Sequence, residues 1–233
     1  MKKAKVPTGD VVLGLAMPYE RFYKFGVKDN TAIKEYANFY TRNLLGYNVT
    51  KVVVVPEGTS TFVSFVSNRN HLVPDGNYIL LDIGGYSVER LFIYKQDNGV
   101  SLDKDRSRNS LELGIRYPLH KLQEAACGLL DAQIDNPKVF GDLLLKPTLF
   151  YNGIEYNVQQ LKDVIMKEYA EQLYHFLTAD LGALIGISTV IISGGGAIHL
   201  APYIKETWCN HVVYDDIYAT ASMAYMKATK EMI

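Results

Sequence analysis

The sequence predicts an α/β protein with mixed parallel and antiparallel strands. Three observations predict it. Short apolar runs rich in β-branched residues alternate with longer stretches of helical period. The run Tyr78 to Asp82 (YILLD) is followed across Gly84-Gly85 by Ser87 to Tyr94 (SVERLFIY), which reads as a β-hairpin and makes the sheet mixed. Three strand ends carry glycines or a carboxylate, which suits strands ended by tight turns or by binding loops.

In chain order, Asp10 to Met17 (DVVLGLAM) reads as a buried strand. Thr31 to Leu45 places Ile33, Tyr36, Ala37, Phe39, Tyr40, Leu44 and Leu45 at helical spacing. Lys51 to Val55 (KVVVV) suits an interior strand, ended by Pro56-Glu57-Gly58, with a short helix from Thr59 to Ser67 after it. His71 to Asn77 holds a Pro-Asp-Gly turn. After the hairpin, the polar stretch Gln96 to Asn109 reads as a loop or ragged hairpin. Leu111 to Leu130 reads as helical despite Pro118, and Pro137 to Asn157 as irregular. Val158 to Leu181 is the longest helix, with apolar residues at Val158, Leu161, Val164, Ile165, Tyr169, Leu173, Phe176 and Leu177. Thr189 to Ser193 (TVIIS) is a strand leading into Gly194-Gly195-Gly196. Helices Ile198 to Lys205 and Asp216 to Met232 complete the chain.

Composition narrows the function classes. With 48% apolar and 21% charged residues in a chain of 233, an ordinary globular core is expected without staples. The 24 basic and 25 acidic residues leave a net charge of −1, so no direct grip on nucleic acid is expected. No apolar run is long enough for a membrane span, and the basic start lacks an apolar signal core. Two cysteines, Cys127 and Cys209, make neither a disulfide framework nor a metal spacing, so a reduced cytoplasmic setting is expected.

Three strand ends could bear chemistry. In Leu80 to Glu89 (LLDIGGYSVE) a carboxylate closes an apolar strand and two glycines follow. Glycines let backbone amides approach a phosphate, Ser87 adds a hydroxyl, and Asp82 could hold Mg²⁺ through water. A plain hairpin is the alternative reading. Val190 to Ala197 (VIISGGGA) would let a nucleotide lie against the main chain, although a flexible strand-to-helix turn has the same composition. It is neither a P-loop nor a dinucleotide fingerprint. In Val54 to Gly58 (VVPEG), Glu57 could orient or deprotonate a water, or simply cap the following helix. Lys162, Lys167 and Glu168 could reach a base or ribose, or form a solvated helix face. The five histidines show no ligand spacing.

Taken in this order, the three segments resemble the actin, Hsp70 and sugar-kinase ATPase superfamily, and within it the ParM/StbA-type plasmid-segregation proteins. Asp82 to Glu89 is similar to the family's second phosphate loop and Val55 to Gly58 to its first connecting motif. Ile191 to Ala197 is similar to its adenosine motif and Asp216 to Ala221 to its second connecting helix. Gly14 to Pro18 is similar to the stretch that precedes the first connecting motif. The resemblance implies two actin-like (ribonuclease H-like) lobes with mixed sheets flanked by helices. Residues 1–76 would be the remainder of the first lobe, 77–215 the second lobe, and 216–233 a helix returning toward the first. It implies ATP or ADP with Mg²⁺ as ligands: Asp82 at the metal, Gly84, Gly85, Tyr86 and Ser87 at the β- and γ-phosphates, Gly194, Gly195, Gly196 and Ala197 at the adenosine and α-phosphate, and Glu57 orienting the attacking water. It further implies self-association into filaments, with an adaptor protein bound to plasmid DNA as partner.

Two features depart from the family. Nothing matches its first phosphate loop, so a fragment or truncated product is expected, with ATP hydrolysis dependent on supply of those strands. Glu89 stands where the family usually has aspartate. A non-polymerising kinase or reactivase-type ATPase, or a nucleotide-inactive binding module, is the alternative. Glutamate at position 57 favours attack by water over transfer to a hydroxyl acceptor.

Overall fold

The computed structural model describes residues 9–24, 27–44, 46–68, 73–97, 99–132, 143–182, 184–204, 208 and 210–214. The chain divides into two compact units, with the boundary between Pro74 and Asp75.

The first unit is built on two parallel strands, β1 (Asp10–Met17) and β4 (Asn48–Pro56), with a register shift between Val11 and Val12. Between them run a helical turn α1 (Tyr19–Phe22), a two-stranded ribbon of β2 (Tyr23–Lys24) and β3 (Val27–Lys28), and helix α2 (Asn30–Arg42). The Asp29 carboxylate caps α2, accepting from the Ala32 N–H at 3.0 Å. Helix α3 (Thr59–Asn68) follows β4 at once, and Val53, Val55, Phe62 and Phe65 are buried. The Tyr36 hydroxyl donates to the Ala16 carbonyl at 2.8 Å, pinning α2 to β1. The ribbon, α1 and the helix end at Arg42 were not expected from sequence. All are short features that tertiary contacts decide.

The second unit is a five-stranded sheet in the order β11 (His211–Val213), β10 (Ile187–Ser193), β5 (Gly76–Ile83), β6 (Val88–Gln96), β7 (Gly99–Ser110). Strand β5 (Gly76–Ile83) lies antiparallel to β6 (Val88–Gln96) and parallel to β10 (Ile187–Ser193), which is parallel to β11 (His211–Val213). Both faces of β5 are buried, which explains its unbroken apolar run. On one face Ile79, Leu81 and Ile83 pack with helix α5 (Gln159–Thr178) through Met166, Tyr169, Ala170, Leu173 and Leu177, and with Leu122 and Ala126 of α4 (Arg116–Leu130). Arg90 of β6 is buried in this layer. It donates to the carbonyls of Phe176 (2.9 Å) and Ala179 (2.6 Å) at the end of α5 and to that of Arg106 (2.9 Å). Carbonyls left over at a helix end thus solvate a buried cation.

Four expectations change. Residues 99–110 form a full strand, β7 (Gly99–Ser110), on the sheet edge; its polarity reflects that exposed position. The expected raggedness is confined to a local irregularity, where Asp103 accepts from the N–H groups of Asp105 and Arg106, both at 3.1 Å. Residues 111–115 lie outside the helix, which starts at Arg116 and holds Pro118 in its first turn, where a missing N–H does no harm. Within the stretch read as irregular, β8 (Thr148–Tyr151) and β9 (Ile154–Asn157) form a hairpin around Asn152-Gly153, both at positive φ. The expected helix from Ile198 is a single turn, α6 (Ala197–Leu200), followed by a 3-10 turn (Ala201–Tyr203). The expected helix at 216–232, with the Asp216 to Ala221 motif, lies outside the described residues. No helix among the described residues is long and apolar enough to cross a membrane.

Candidate functional site

The carboxyl ends of β5 and β10 lie side by side, the place where ligands bind in open α/β sheets. Ser193 is in register with Asp82, and its hydroxyl donates to the Asp82 carboxylate. Asp82 is half-buried. Loss of solvation outweighs the Ser193 hydrogen bond and pushes its carboxyl up to about 6. Glu89 of β6 stands directly opposite Asp82 in the antiparallel register, so both carboxylates share one face of the sheet. Glu89 is only 3% exposed. From sequence it registered only as a departure from a family pattern; the strand register makes it a neighbour of Asp82.

Two loops leave these strand ends and are bonded to each other. The Gly84 N–H closes the 84–87 turn on the Ser87 carbonyl at 2.9 Å, and the Gly196 N–H donates to the Ile83 carbonyl at 2.9 Å. The glycines divide into two kinds. At Gly194, φ is +87°, and a Cβ there would run into the Asp82 carboxylate and the Ile83 backbone. A Cβ at Gly196 would run into the Ile83 side chain. These two glycines serve the fit of one loop on the other. Gly85 and Gly195 have open space where a Cβ would stand, and theirs are the faces a ligand can approach.

A third segment, missed from sequence because it was read as helix, is bonded to the first loop. The Ile115 and Arg116 N–H groups donate to the Gly84 (2.9 Å) and Gly85 (3.0 Å) carbonyls. A Cβ at Gly114 would stand 2.6 Å from both the Gly85 carbonyl oxygen and the Ser87 nitrogen, so only glycine fits there. The Tyr169 hydroxyl of α5 donates to the Leu113 carbonyl at 2.6 Å, fixing this segment to the core. The signal available in the sequence was Gly114 shortly before Pro118. The Tyr86 side chain is 66% exposed, and the Arg116 guanidinium lies over its ring, 4.0 Å from the centroid.

The structure therefore brings together Asp82, Gly84, Gly85, Tyr86 and Ser87 with Gly194, Gly195, Gly196 and Ala197. The Ala197 side chain is buried in the core, leaving its backbone to any ligand role. Lys162 is near enough to His199 to hold that imidazole down further, after burial itself. Lys167 and Glu168 are exposed on α5. The Tyr203 hydroxyl and the Gln159 amide both donate to Asp163 at 2.7 Å, tying the start of α5 to the turn that follows the glycine loop.

Glu57 belongs to the first unit. Its N–H donates to the Met17 carbonyl at 2.9 Å, closing the paired ends of β1 and β4, and Gly58 follows at φ +70°. Its carboxylate helps raise the Tyr36 hydroxyl, behind the larger effects of burial and of Tyr40.

Among the described residues no group of three or more His, Cys, Asp or Glu is arranged to hold a metal. Asp82 with Glu89 fits a different kind of site, a Mg²⁺ ion that keeps most of its water shell and needs one or two carboxylates.

No family model matches this sequence, and no curated protein matches it. Solved structures do. The chain matches a pCBH ParM non-polymerisable quadruple mutant at TM-score 0.68 and 14% identity, covering 77% of this chain and 55% of that one. It matches the ParM of a 15-stranded filament from Clostridium botulinum at TM-score 0.75 and 14% identity, covering 93% of this chain and 66% of that one. It matches an archaeal actin homolog in complex with ADP at TM-score 0.76 and 14% identity, covering 99% of this chain and 75% of that one. The chain thus spans 55% and 66% of the lengths of these two ParM chains. It has the actin-like fold, and ParM-type proteins are among its structural neighbours.

Proposed function

We propose that this chain is an actin-like nucleotide-binding protein that takes ATP or ADP with Mg²⁺, hydrolyses ATP and self-associates into filaments. One observation carries the reading: the bonded junction of the 84–87 and 194–197 loops, with Gly85 and Gly195 open beside a desolvated Asp82. In this reading the amides of Gly84, Gly85 and Tyr86 and the Ser87 hydroxyl hold the β- and γ-phosphates. The loop from Gly194 to Ala197 holds the adenosine and α-phosphate. Asp82, with Glu89 beside it, holds the water shell of Mg²⁺, which would neutralise phosphate charge when bound. Glu57 orients a water that attacks the γ-phosphorus while the bond to the β–γ bridging oxygen breaks, giving ADP and phosphate. Phosphoryl transfer asks a protein mainly for positioning and charge stabilisation, and these groups supply both kinds of help.

The neighbours described as filaments support self-association. Filament contacts join unlike surfaces and leave the assembly open-ended. A role in segregating plasmid or other mobile DNA through an adaptor extends this proposal. The near-zero net charge agrees with DNA contact through a partner, in a cytoplasmic setting.

Thermal unfolding with and without Mg²⁺ and ATP or ADP tests the binding. A ligand at about 100 times its dissociation constant adds about 2.7 kcal/mol of stability. Light scattering against protein concentration, with and without ATP, tests assembly. No melting shift with either nucleotide overturns the nucleotide reading, and concentration-independent scattering overturns the filament.

A further inference from the structure

We propose that Arg116 is a ligand for the terminal phosphate of the bound nucleotide, an assignment that rests on the nucleotide reading above. Arg116 is the first residue of α4, and its backbone N–H is bonded to the Gly85 carbonyl at 3.0 Å. The residue therefore follows the 84–87 loop directly. Its side chain is held as well, with the guanidinium carbon 4.0 Å from the centroid of the Tyr86 ring. Stacking occupies the face of a guanidinium. It leaves the five N–H donors in the plane free to bond.

No ion pair of the described residues involves Arg116. Elsewhere in this unit arginines meet anions or carbonyls: Arg106 lies near Asp103, Arg108 near Asp180, and Arg90 is surrounded by carbonyl oxygens. Arg106 and Arg90 also lie over rings, those of Phe92 and Phe176, so Arg116 differs in having no anion partner among the described residues. Such a fork suits a phosphate oxyanion, which takes two parallel N–H bonds.

The same placement explains two other observations. Tyr86 keeps a large ring 66% exposed beside a glycine turn, where it acts as the platform for the guanidinium. Gly114 lets the segment leading into Arg116 lie against the Gly85 and Ser87 backbone. Arg116 is bonded to the 84–87 loop, which in the nucleotide reading holds the β- and γ-phosphates, while its neighbour Ile115 lies beside Gly196. Assigned to the γ of these two phosphates, Arg116 discriminates triphosphate from diphosphate.

The test is binding of the β,γ-imido analogue of ATP and of ADP, each with Mg²⁺, to the wild-type chain and to Arg116→Gln and Arg116→Lys, with melting curves as a control on folding. Hydrogen bonds between charged groups predict that Arg116→Gln weakens the triphosphate analogue roughly 10- to 100-fold while ADP affinity changes less than about twofold. Arg116→Lys keeps the charge but not the fork, and falls between. Equal weakening of both ligands, or of neither, in a folded variant overturns the assignment. Should Arg116→Gln not fold, the lysine variant decides, since equal effects on both ligands overturn the assignment there too. Absence of binding of either ligand by the wild type overturns the nucleotide reading itself and the assignment with it.

Discussion

Replacing Asp82 by asparagine separates what this carboxylate costs the fold from what it contributes to a ligand. In the folded chain its carboxyl is raised from 3.8 to about 6, first by burial, against the opposing Ser193 hydrogen bond. A shift of about two units corresponds to roughly 3 kcal/mol at most. Because Asp82 keeps some exposure, about 2 kcal/mol is the working figure. The folded state binds this proton more tightly than the unfolded chain does. The associated stability is fully present below about pH 3.8 and is lost as pH rises through about 6. At pH 8 the wild type therefore carries an ionised carboxylate in a desolvated position without a cation. Asparagine keeps an acceptor for the Ser193 hydroxyl and carries no charge. Asp82→Asn is expected to melt higher than wild type at pH 8 by roughly 4–8 °C. The gap should shrink to under about a quarter of that at pH 4. Scanning calorimetry at both pH values, with and without Mg²⁺ and ATP, reads this directly. With Mg²⁺ and nucleotide the order should reverse, since only the wild type gains from the metal. A variant no more stable than wild type at pH 8, or equally stabilised at pH 4 and pH 8, refutes the desolvation argument. A variant that keeps the full ligand-induced shift refutes the metal role.

The remaining predictions follow from packing and chemistry. Gly194→Ala combines a left-handed backbone with a Cβ against Asp82 and Ile83, and should cost roughly 2–4 kcal/mol in urea unfolding. Arg90→Met strips the Phe176, Ala179 and Arg106 carbonyls of their donor and should cost about 3 kcal/mol, read from the denaturation midpoint. Glu57→Ala should keep the nucleotide-induced melting shift while phosphate release falls roughly 100-fold or more, measured as inorganic phosphate over time.

Arg90 shows how the sheet and the long helix hold the site. The end of α5 is anchored to β6 through this one buried cation, while Tyr169, in the middle of α5, bonds the Leu113 carbonyl just ahead of Arg116. Displacement of α5 would therefore reach the 84–87 loop through the 113–116 segment.

Much of this was legible in the sequence, for physical reasons that act locally. Runs such as YILLD and TVIIS are buried on both faces and need no pattern but apolarity, and the 3.6-residue stripe of Val158 to Leu181 states its own buried face. The paired glycines after Asp82 and the triple glycine after Ser193 mark loops at strand ends, although the backbone angle of Gly194 and the close approaches at Gly194 and Gly196 alone demand glycine outright. An Asn-Gly pair in the 152–153 turn was a hairpin signal that the surrounding prolines and glycines obscured. Other features had no local signature. That Glu89 faces Asp82 follows from strand register, which depends on pairing across the hairpin and not on either residue. That Gly194 and Gly196 fit the two loops together while Gly85 and Gly195 stay open depends on which backbone lies opposite each, and composition is identical in all four. The polar strand β7 likewise arises only when the sheet edge is in place, and Gly114 before Pro118 hinted at a break in the helix without saying which loop residues 113–116 would meet. The sequence by itself thus determined the elements and the chemical types at the strand ends, because those depend on neighbours along the chain. Which residues meet was decided by the tertiary structure, because contact is a property of the packed sheet.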